Sequence, residues 1–417
     1  MIKQLQKKGL AEQGKKNLAL AERNMKALMA LRNQYKKTKP FKGQRIGMAL
    51  HITKETGVLV RTFMDAGAKV SIASCNPLST QDDVAAALIK DGADVWGYKG
   101  ESKKDYYKYL KKVLDFKPTI TIDDGCDLVT EIHLNRRGLL KNIIGGCEET
   151  TTGIIRLKAM EKEGKLEYPV IAVNDNDTKH LMDNYYGTGQ STIDGILRAS
   201  NMLIAGKTVV VAGYGSCGKG FALRSKGMGA KVIVTEVDPF RALQAKMDGF
   251  DVMPMEKAAP FGDLFLTVTG NCEVIRMEHF RRMKDGAIVA NSGHFDIEVD
   301  VTGLTKMSKK KVAVRPFFDE FVISANKSIF VIAEGRLANL AAAEGHPSEV
   351  MSMSFCGQFL AVDFLVKNAS KLSAGVHFLP SSVDEKISKL QLQAMGVKID
   401  KLTDKQKNYL GSWQEGT

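Results

Sequence analysis

The sequence is poor in cysteine, and its cysteines are not spaced for a shared task. Six occur in 417 residues, and no two of them form a CxxC pair. Close pairs are typical of structural zinc sites, and dense even sets are typical of disulfide-rich secreted domains. We therefore expect neither a metal site nor a disulfide framework. We interpret the six as small buried packing residues: Cys75, Cys126, Cys147, Cys217, Cys272 and Cys356.

Long apolar runs are also lacking. We find no segment that approaches the roughly 20 apolar residues needed to cross a bilayer. The N-terminus, MIKQLQKKGLAEQGKK, carries lysines but not the apolar core of a signal peptide. We expect a cytoplasmic protein without a membrane partner.

Positive charge exceeds negative charge, with 60 Lys and Arg against 47 Asp and Glu and a formal net charge of +13. Such an excess can draw polyanions to a surface. The lysines, however, form local clusters at 36–42 and 308–312 without a nucleic-acid-binding motif around them. We expect no nucleic-acid partner. With 44% hydrophobic and 26% charged residues, the composition is that of a globular protein of two or three domains.

Short β-branched runs alternate with helical segments through the first half of the chain. From Leu18 to Tyr35 an apolar residue recurs every three to four positions, which predicts one amphipathic helix ending before Pro40. Beyond it we predict strands at 45–50, 69–74, 94–99 and 119–124 and helices around 55–65, 80–91 and 104–115. Ser79, three residues before Asp82, predicts a capping box. The alternation predicts a parallel sheet with helices on both faces.

Polar residues follow several predicted strands at their carboxyl ends, where parallel sheets bind ligands. His51 follows the first strand, Asn76 lies just past the second, Asp124 ends the fourth, and Asn174 ends a later run at 168–174. One such residue alone is unremarkable. Together they predict a site in the first 175 residues.

A glycine-rich loop opens a second α/β block. The run TVVVAGYGSCGKG sets Gly213, Gly215 and Gly218 between an apolar strand and a helix, and the next strand ends in Glu236. These glycines let backbone approach a pyrophosphate at a helix N-terminus, and the acid about 20 residues on binds the adenosine ribose. The Glu236 carboxylate would repel a 2′-phosphate, which favours NAD over NADP. Further strands at 263–270, 286–293 and 328–335 complete a predicted Rossmann domain.

Two α/β blocks imply a cleft between them. We expect a discontinuous substrate-binding domain of residues 1–180 and 347–380, and a NAD-binding domain of residues 190–345. A helical C-terminal segment, 381–417, would serve oligomer contacts. The predicted fold class is α/β, with two doubly wound, Rossmann-like parallel sheets and a small helical tail.

Two polar segments near this cleft have structural as well as functional explanations. Lys179 and Asp183 stand four residues apart, a spacing at which opposite charges pair on exposed helix faces and contribute about 0.3–0.5 kcal/mol. The run EETTTG, residues 148–153, offers clustered donors and acceptors, but its threonines could also cap a helix starting near Ile154. Neither pattern alone decides between the two explanations.

Specific motifs recur from about Phe41 to Trp413. They read NPLSTQDDVAAAL, IDDGCDL, EETTTG, NDNDTKHLMDN, VAGYGSCGKG, TEVDP, NSGHFD, EGRLANL and GHPSEVM. In this order they resemble the S-adenosylhomocysteine hydrolase family over nearly the whole chain. The resemblance implies bound NAD and reversible hydrolysis of S-adenosyl-L-homocysteine to adenosine and L-homocysteine. Oxidation of the 3′-hydroxyl would acidify the C4′ proton, the thiolate would leave, water would add, and the stored hydride would return.

The resemblance implies a role for each group at the 3′-hydroxyl. Lys179 would accept its proton, which requires a lowered pKa. Asp183 and Asn184 would orient Lys179 and the ribose hydroxyls. Glu149 would contact the 3′-oxygen.

Three further residues are implied at C4′ and C5′. Asp124 would take part in proton transfer at C4′, and whether Asp124 or Lys179 removes that proton stays open. His51 would assist departure of the thiolate and addition of water. His294 would contact the 5′ region in the closed cleft.

The resemblance also implies binding residues. For NAD these are the three loop glycines with Thr150, Thr151, Thr152, Asn184, Glu236, Asn271 and Asn339. For adenine they are Thr53, Glu55 and the backbone around His346. A Glu55 carboxylate can accept from the exocyclic amine of adenine but would face the carbonyl oxygen of hypoxanthine. We therefore prefer the adenosyl substrate, with S-inosylhomocysteine as the alternative.

The C-terminus departs from the family's common pattern. Many members end in a tail whose Lys and Tyr reach a neighbouring subunit's NAD site, whereas this chain reads YLGSWQEGT at its end. Lys401 and Lys405 are candidates for a partial substitute, although a solvated helix face also explains them. The family's habit implies a homotetramer.

Two rival functions differ in class. A 2-hydroxyacid dehydrogenase would share the two-domain layout but would leave EETTTG, Thr53 and Glu55 unexplained. A non-catalytic regulatory relative would have lost some of the six catalytic residues implied above, and all six are present.

Overall fold

The computed structural model describes residues 2–414, in which strands and helices alternate around two sheets. The strands are β1 (Arg45–Ala49), β2 (Lys69–Ala73), β3 (Asp94–Trp96), β4 (Ile120–Asp123), β5 (Gly145–Glu148), β6 (Pro169–Ala172), β7 (Thr208–Ala212), β8 (Lys231–Thr235), β9 (Asp251–Val252), β10 (Leu264–Thr267), β11 (Ala287–Asn291), β12 (Lys310–Arg315), β13 (Phe318–Ser324), β14 (Lys327–Ile332) and β15 (Gly375–His377).

The helices precede, connect and follow these strands. They are α1 (Leu10–Asn24), α2 (Lys26–Thr38), α3 (Lys54–Asp65), α4 (Asp82–Lys90), α5 (Lys103–Asp115), α6 (Asp127–Asn135), α7 (Thr151–Lys162), α8 (Asp177–His180), α9 (Thr188–Ser200), α10 (Ser216–Gly227), α11 (Pro239–Met247), α12 (Met255–Ala258), α13 (Met277–Arg282), α14 (Val301–Met307), α15 (Ala338–Ala341), α16 (Ser348–Asn368), α17 (Ser381–Ala394) and α18 (Asp404–Gly411). Short 3₁₀-helices lie at Lys3–Gln6, Arg137–Asn142, Val173–Asp175, Ala333–Gly335 and Ala369–Lys371, and a π-helical turn spans Asp183–Gly187.

The first sheet is parallel, as predicted. Within residues 2–414 its strand order is β15-β6-β5-β4-β1-β2-β3. Every residue of β4, β5 and β6 is buried, as a sheet between two helix layers requires. Because the strands run the same way, the residues that follow them lie along one edge.

The second sheet is mixed rather than wholly parallel. Its order within the described chain is β12-β13-β14-β11-β10-β7-β8-β9, and β12 and β13 are antiparallel additions beyond β14. The lysine cluster at 308–312 runs into β12, whose exposed Lys310 and Lys311 discourage pairing with another sheet edge. The sequence does not predict the β12–β13 hairpin, because its turn at 316–317 has no Gly or Asn. Phe317 takes the positive φ of 61° that such a turn requires.

The N-terminal amphipathic segment is two helices, not the single helix predicted. α1 and α2 meet at Met25, whose φ of −91° and ψ of 49° leave the helical region. Met25 is fully buried, and the break lets α1 pack on α3 and α4 while α2 packs on α3 and α16. Tertiary packing overrides a continuous helical spacing here.

Separate hydrophobic cores surround the two sheets. The first core combines residues from the N-terminal part of the chain with α16, and the others cover the two faces of the second sheet. The 24-residue stretch Ser348–Lys371 contains an 18-residue window with a mean hydropathy of 1.3, so it passes the length and composition test for a membrane span that we expected no segment to pass. Because 67% of its apolar window is buried, its composition is explained by its place in the core.

The C-terminal segment is helical, as predicted, and forms two helices, of which only the second is peripheral. α17 packs against α2 and α16 through the buried Ile387, whereas every residue of α18 is exposed. Asp384 of α17 accepts from the backbone N–H groups of Asp177 and Thr178, at 3.1 and 2.9 Å, and so caps α8. The first half of this segment therefore belongs to the first core.

Candidate active site

A cavity of about 1180 Å³ lies between the two sheets and gathers the candidate residues. The predicted site residues that line it are His51, Thr53, Glu55, Asp124, Glu149, Thr150, Thr151, Thr152, Lys179, Asp183, Asn184, Gly213, Gly215, Glu236, Asn271, His294, Asn339 and His346. Gly218 is outside the lining and packs behind the loop, where a Cβ would come within 2.0 Å of the Gly213 carbonyl oxygen. The cavity thus joins groups from both halves of the chain.

Lys179 is the centre of a buried polar cluster, not part of an exposed helix face. Lys179 on α8 is 5% exposed, and Asp183 on the π-helical turn is 2% exposed. The Lys179 Nζ donates to Asn174 Oδ1 at 3.1 Å and to Asn184 Oδ1 at 2.8 Å, and it lies 3.4 Å from Asp183 Oδ2. π-helical turns are rare and frequently occur at functional sites. The surface explanation of this pair is wrong.

The charge state of Lys179 also differs from the expectation. Burial lowers the pKa of Lys179, but the carboxylates of Asp183 and Glu149 more than offset this effect, and the net pKa is raised. The lowered pKa expected of a proton-accepting lysine is therefore wrong for this arrangement. Glu149 converges on Lys179 from 30 positions earlier in the chain, which local sequence spacing cannot reveal.

Glu149 presents an unsatisfied acceptor in the same cluster. Its Oε2 accepts from Gln358 Nε2 at 2.5 Å, while Oε1 is buried, 3.6 Å from Lys179 Nζ, and has no hydrogen-bond partner within residues 2–414. Burial raises the pKa of Glu149 to about 7, a shift that Lys179 opposes and Asp183 reinforces. Glu149 can therefore exchange a proton near neutral pH.

Asp183 is held as a carboxylate by its neighbours. Its Oδ1 contacts Nδ1 of His346, and its Oδ2 accepts from Ser354 Oγ at 2.9 Å. Burial raises the pKa of Asp183, but His346 and Lys179 outweigh burial and hold that pKa well below its usual range. Asp183 is thus a fixed negative charge between Lys179 and His346.

A second cluster joins His51, Asp124 and His294. His51 Nε2 lies 3.4 Å from Asp124 Oδ2, and His294 Nδ1 lies 3.5 Å from Asp124 Oδ1. Burial lowers the pKa of His51 to about 4, with Asp124 opposing the shift and His294 adding to it. His51 is therefore neutral at pH 7, with one ring nitrogen to donate and one to accept.

A helix-cap prediction and a strand-end prediction need correction beside His51. Ser79 does not cap α4, because its Oγ pairs with His51 Nδ1 at 2.7 Å and Gln81 occupies the N-cap position. Asn76 lies outside the cavity lining, and its Oδ1 accepts from the Leu78 N–H at 3.0 Å within a turn. Asn174, by contrast, contacts Lys179 directly.

Metal-ligating groups are also present. The ligand atoms of His51, Asp124 and His294 all lie within 4.8 Å of one another and could hold a transition metal ion. The expectation of no metal came from cysteine spacing alone and stays a prediction. The expectation that all six cysteines are buried is wrong for Cys272, which is exposed and lines the cavity with the half-buried Cys217.

The threonines of EETTTG are not helix caps. α7 begins at Thr151, earlier than predicted, and the side chain of Thr150 makes no capping hydrogen bond within the described chain. Glu148 instead joins this helix start to the turn before α6, because its Oε1 accepts from the N–H groups of Thr150 at 3.0 Å and Gly125 at 2.9 Å. The threonines instead line the cavity.

The start of α3 forms another part of the wall. Thr53 caps α3, since its Oγ1 accepts from the Thr56 N–H at 3.4 Å. Glu55 is 1% exposed, and its Oε1 accepts from Ser348 Oγ at 2.5 Å. A buried acid here faces a cavity large enough for a ligand.

The glycine-rich loop after β7 has the geometry of a phosphate-binding turn. Gly213 takes a φ of +100°, a region that L side chains rarely adopt. A Cβ added at Gly215 would find its nearest neighbour, Arg241 Nη1, at 3.7 Å, so backbone is open to the cavity there. α10 begins directly afterwards at Ser216, and its N-terminal end favours an anion.

Known proteins match the chain over both halves of this cavity. Residues 2–138 match the model described as S-adenosyl-L-homocysteine hydrolase, and residues 184–345 match its NAD binding domain. The chain is 56% identical to the S-inosyl-L-homocysteine hydrolase of Methanocaldococcus jannaschii and 56% identical to the adenosylhomocysteinase of Sulfurisphaera tokodaii. It is 54% identical to the adenosylhomocysteinase of Aquifex aeolicus. Each match covers 98% of both proteins.

The chain belongs to the S-adenosyl-L-homocysteine hydrolase family. Its cofactor is NAD, as the match to the family's NAD binding domain indicates. The residues of the cavity fit NAD. Glu236 lines the cavity, with Oε2 accepting from the Tyr214 N–H at 2.7 Å. The buried Oδ1 of Asn339 has no hydrogen-bond partner within residues 2–414, as expected for an atom awaiting a ligand donor.

Sequence reasoning missed the polar face of α16 in this family member. Ser354 and Gln358, one helical turn apart, hydrogen-bond to Asp183 and Glu149, and Ser348 hydrogen-bonds to Glu55. The signal is a serine and a glutamine four residues apart on a helix that is otherwise mostly apolar. The apolar majority of α16 favoured a pure packing role.

Proposed function

We propose that the protein catalyses the reversible hydrolysis of S-adenosyl-L-homocysteine to adenosine and L-homocysteine. The observation that carries this proposal is the buried Lys179 cluster, which shares one cavity with the glycine-rich loop. A hydride acceptor held by that loop would lie in the same cavity as groups able to bind and deprotonate a hydroxyl. When bound, NAD supplies a hydride acceptor for C3′ and returns the hydride at the end of the cycle.

The 3′-hydroxyl would be handled by Lys179 and Glu149 together. The free Glu149 Oε1, on a carboxyl whose pKa is about 7, would accept the hydroxyl proton. Lys179, kept as an ammonium by Asp183, would hold the 3′-oxygen through hydrogen bonding and charge. This division of roles replaces the expectation that Lys179 alone accepts the proton.

Elimination and hydration would use the second cluster. Once C3′ is a ketone, the adjacent C4′ proton is acidic, and Asp124 is our candidate to remove it. The C5′–S electron pair then leaves with sulfur, and the proton that Asp124 has taken from C4′ can pass through His51 to the departing thiolate, which leaves His51 neutral again. In the hydration step His51 would take a proton from the water that adds at C5′ and return it through Asp124 to C4′. His294, 3.5 Å from Asp124, would close this end of the site.

The choice of purine follows from Glu55. A carboxylate accepts from the 6-amino group of adenine but offers no donor to the 6-oxo group of hypoxanthine. We therefore propose the adenosyl thioether as substrate. S-inosylhomocysteine stays the alternative, since the M. jannaschii relative carries that name at 56% identity.

The activity is tested most simply in the synthetic direction. Purified NAD-loaded protein is incubated with homocysteine and either adenosine or inosine, and the thioether product is quantified. We expect product from adenosine in clear excess. Product from neither nucleoside, with no reduction of the bound cofactor by adenosine, contradicts the proposal. Net accumulation of reduced cofactor with a small hydroxy acid would instead favour the dehydrogenase.

We also propose the predicted organisation and setting of the protein. The separate cores support two domains, one formed by residues 1–180 together with 347–380 and the other by residues 190–345. α17 packs on the first of these domains. Exposed apolar side chains at Ile399, Leu410 and Trp413 support subunit contacts in a homotetramer. The six free cysteines support a reducing cytoplasm, where the enzyme would act in the methyl cycle. Sedimentation of the full chain against a chain ending at residue 396 tests the assembly.

A further inference from the structure

Lys54 is a covered cation beside the candidate purine-binding acid. Its Nζ lies 3.4 Å from Glu55 Oε1 and 3.0 Å from Glu344 Oε2, and the side chains of Lys54 and Glu55 are only 13% and 2% exposed. Ion pairs on the open surface contribute little because water screens them. A covered pair interacts through a lower effective dielectric, so the charge of Lys54 acts strongly on Glu55.

The two oxygens of Glu55 are placed for different tasks. Ser348 Oγ donates to Oε1 at 2.5 Å, and Lys54 Nζ approaches the same Oε1. With both neighbours on one oxygen, Oε2 is the oxygen left to a ligand in the cavity that Glu55 lines. A carboxylate oxygen in this position can accept a hydrogen bond but cannot donate one.

We propose that Lys54 is a positioning residue that sets the choice of purine by holding Glu55 as an oriented carboxylate, so that it selects a 6-amino over a 6-oxo group. The inference rests on the proposed function, which puts the base at Glu55. Without the charge of the lysine, Oε1 keeps only Ser348 of these two neighbours, and the carboxyl can turn so that Oε2 no longer meets the 6-amino group. Discrimination between the two purines would then weaken.

The second contact of Lys54 offers a structural explanation that must be separated from this one. Glu344 lies in the connection to α16 and also approaches Arg198 Nη2 at 3.6 Å, so Lys54 helps to tie that connection to α3. Burial lowers the pKa of Lys54, but Glu55 and Glu344 outweigh burial, and the net pKa is raised. Lys54 is therefore a cation at neutral pH. Glu344→Gln removes the charge from this tie while leaving the pair with Glu55, and is the matched control.

The test measures binding rather than turnover. Dissociation constants of 3′-deoxyadenosine and 3′-deoxyinosine, which lack the hydroxyl to be oxidised, are measured on the NAD-loaded protein. Lys54→Met should weaken binding of 3′-deoxyadenosine by roughly tenfold to a hundredfold. It should change the dissociation constant of 3′-deoxyinosine by less than about threefold. Lys54→Arg should restore the wild-type ratio of the two dissociation constants, and Glu344→Gln should leave that ratio unchanged. Lys54→Gln, a donor without charge, should behave like Lys54→Met and decides the matter if the Met variant does not fold.

Several outcomes would overturn the inference. The first is a ratio of dissociation constants that is unchanged in both Lys54→Met and Lys54→Gln, and the second is an equal loss of binding for both nucleosides. The third is a Lys54→Arg variant that does not restore the ratio, and the fourth is a wild type that binds both nucleosides equally. Loss of the ratio in Glu344→Gln would assign the effect to the structural tie. Absence of thioether synthesis would reject the proposed function alone, because the binding ratio is read without turnover.

Discussion

At the scale of single residues, the cavity keeps its acids and bases in different charge states. Asp183 is ionised, Glu149 titrates near pH 7, and His51 is neutral, although burial acts on all three. The differences come from their partners: Asp183 has a histidine and a lysine, whereas Glu149 has a free oxygen. Such separation of titration states lets one site both remove and deliver protons at one pH.

Lys179 is the residue on which cofactor reduction depends most. Lys179→Ala removes the ammonium that would hold the 3′-oxygen, and we expect reduction of bound NAD by adenosine to slow by about a hundredfold or more. Absorbance of the reduced nicotinamide after mixing measures this rate. Lys158→Ala, at a half-exposed lysine 3.9 Å from Asp175, is the control and should leave the rate unchanged. Normal reduction in Lys179→Ala would remove Lys179 from its role.

Glu149 gives a pH-dependent prediction about stability. Its pKa is raised from 4.5 to about 7 in the folded protein, so between these values the folded state holds a proton that the unfolded chain releases. The contribution of Glu149 to the free energy of unfolding therefore falls as pH rises through this window. Glu149→Gln removes this fall, and its stability relative to wild type should increase from about pH 5 to about pH 8 by on the order of 2 kcal/mol.

Denaturant unfolding at the two pH values checks the Glu149 prediction. The exposed Glu163→Gln is the control and should show no such increase, because its pKa is lowered rather than raised by its neighbour Lys165. A stability difference for Glu149→Gln that does not change with pH would contradict a raised pKa.

At the scale of elements, α8 is only four residues long and depends on a cap from α17. Asp384→Ala leaves the N–H groups of Asp177 and Thr178 without their acceptor, which should cost about 1 kcal/mol of stability. Because Lys179 sits on this helix, we expect kcat to fall by about tenfold through misplacement. Asp384→Asn keeps an acceptor and should recover most of the activity. Glu385→Ala, which loses only an exposed contact with Lys389, should match wild type in both measurements.

α10 offers a matched pair of glycines for testing the phosphate-binding loop. A Cβ at Gly218 would come within 2.0 Å of the Gly213 carbonyl oxygen, whereas a Cβ at Gly227, at the far end of the helix, meets no atom of residues 2–414 within 4 Å. Gly218→Ala should therefore displace the loop and lower the NAD content of the purified protein by about tenfold or more. Gly227→Ala should retain full NAD content. Equal NAD content in the two variants would contradict the assignment of this loop.

The elements that sequence predicted well are those that local pattern determines. The parallel strands and the turn at Gly213 follow from apolar runs and from glycine spacing. The break at Met25, the hairpin at Phe317 and the partner of Ser79 depend on residues distant in sequence, and each prediction there was incomplete or wrong. The raised pKa of Lys179 belongs to the same class, since Glu149 meets it only in the folded chain.

At the scale of the whole molecule, contacts between the two halves of the chain, beside the cavity and within it, hold its two walls together. Lys99 Nζ donates to the Ala341 carbonyl at 2.8 Å and lies 4.8 Å from the centre of the Phe317 ring, and Lys54 reaches Glu344. His294, from the second sheet, meets Asp124 from the first. We expect closure of the cavity to limit bulk water while the ketone exists, which would protect it and strengthen the charges around it. The proposed chemistry needs this, because the oxidised sugar must survive until the hydride returns.

The central claim is that one hydride leaves C3′, resides on the bound cofactor and returns within a single turnover. Adenosine carrying deuterium at C3′ is mixed with the NAD-loaded protein, first alone and then with homocysteine, and mass spectrometry follows the label. We predict deuterium on the cofactor nicotinamide in the first stage, and its return to C3′ of the thioether product in the second. Thioether product formed while the cofactor never carries deuterium would contradict the account.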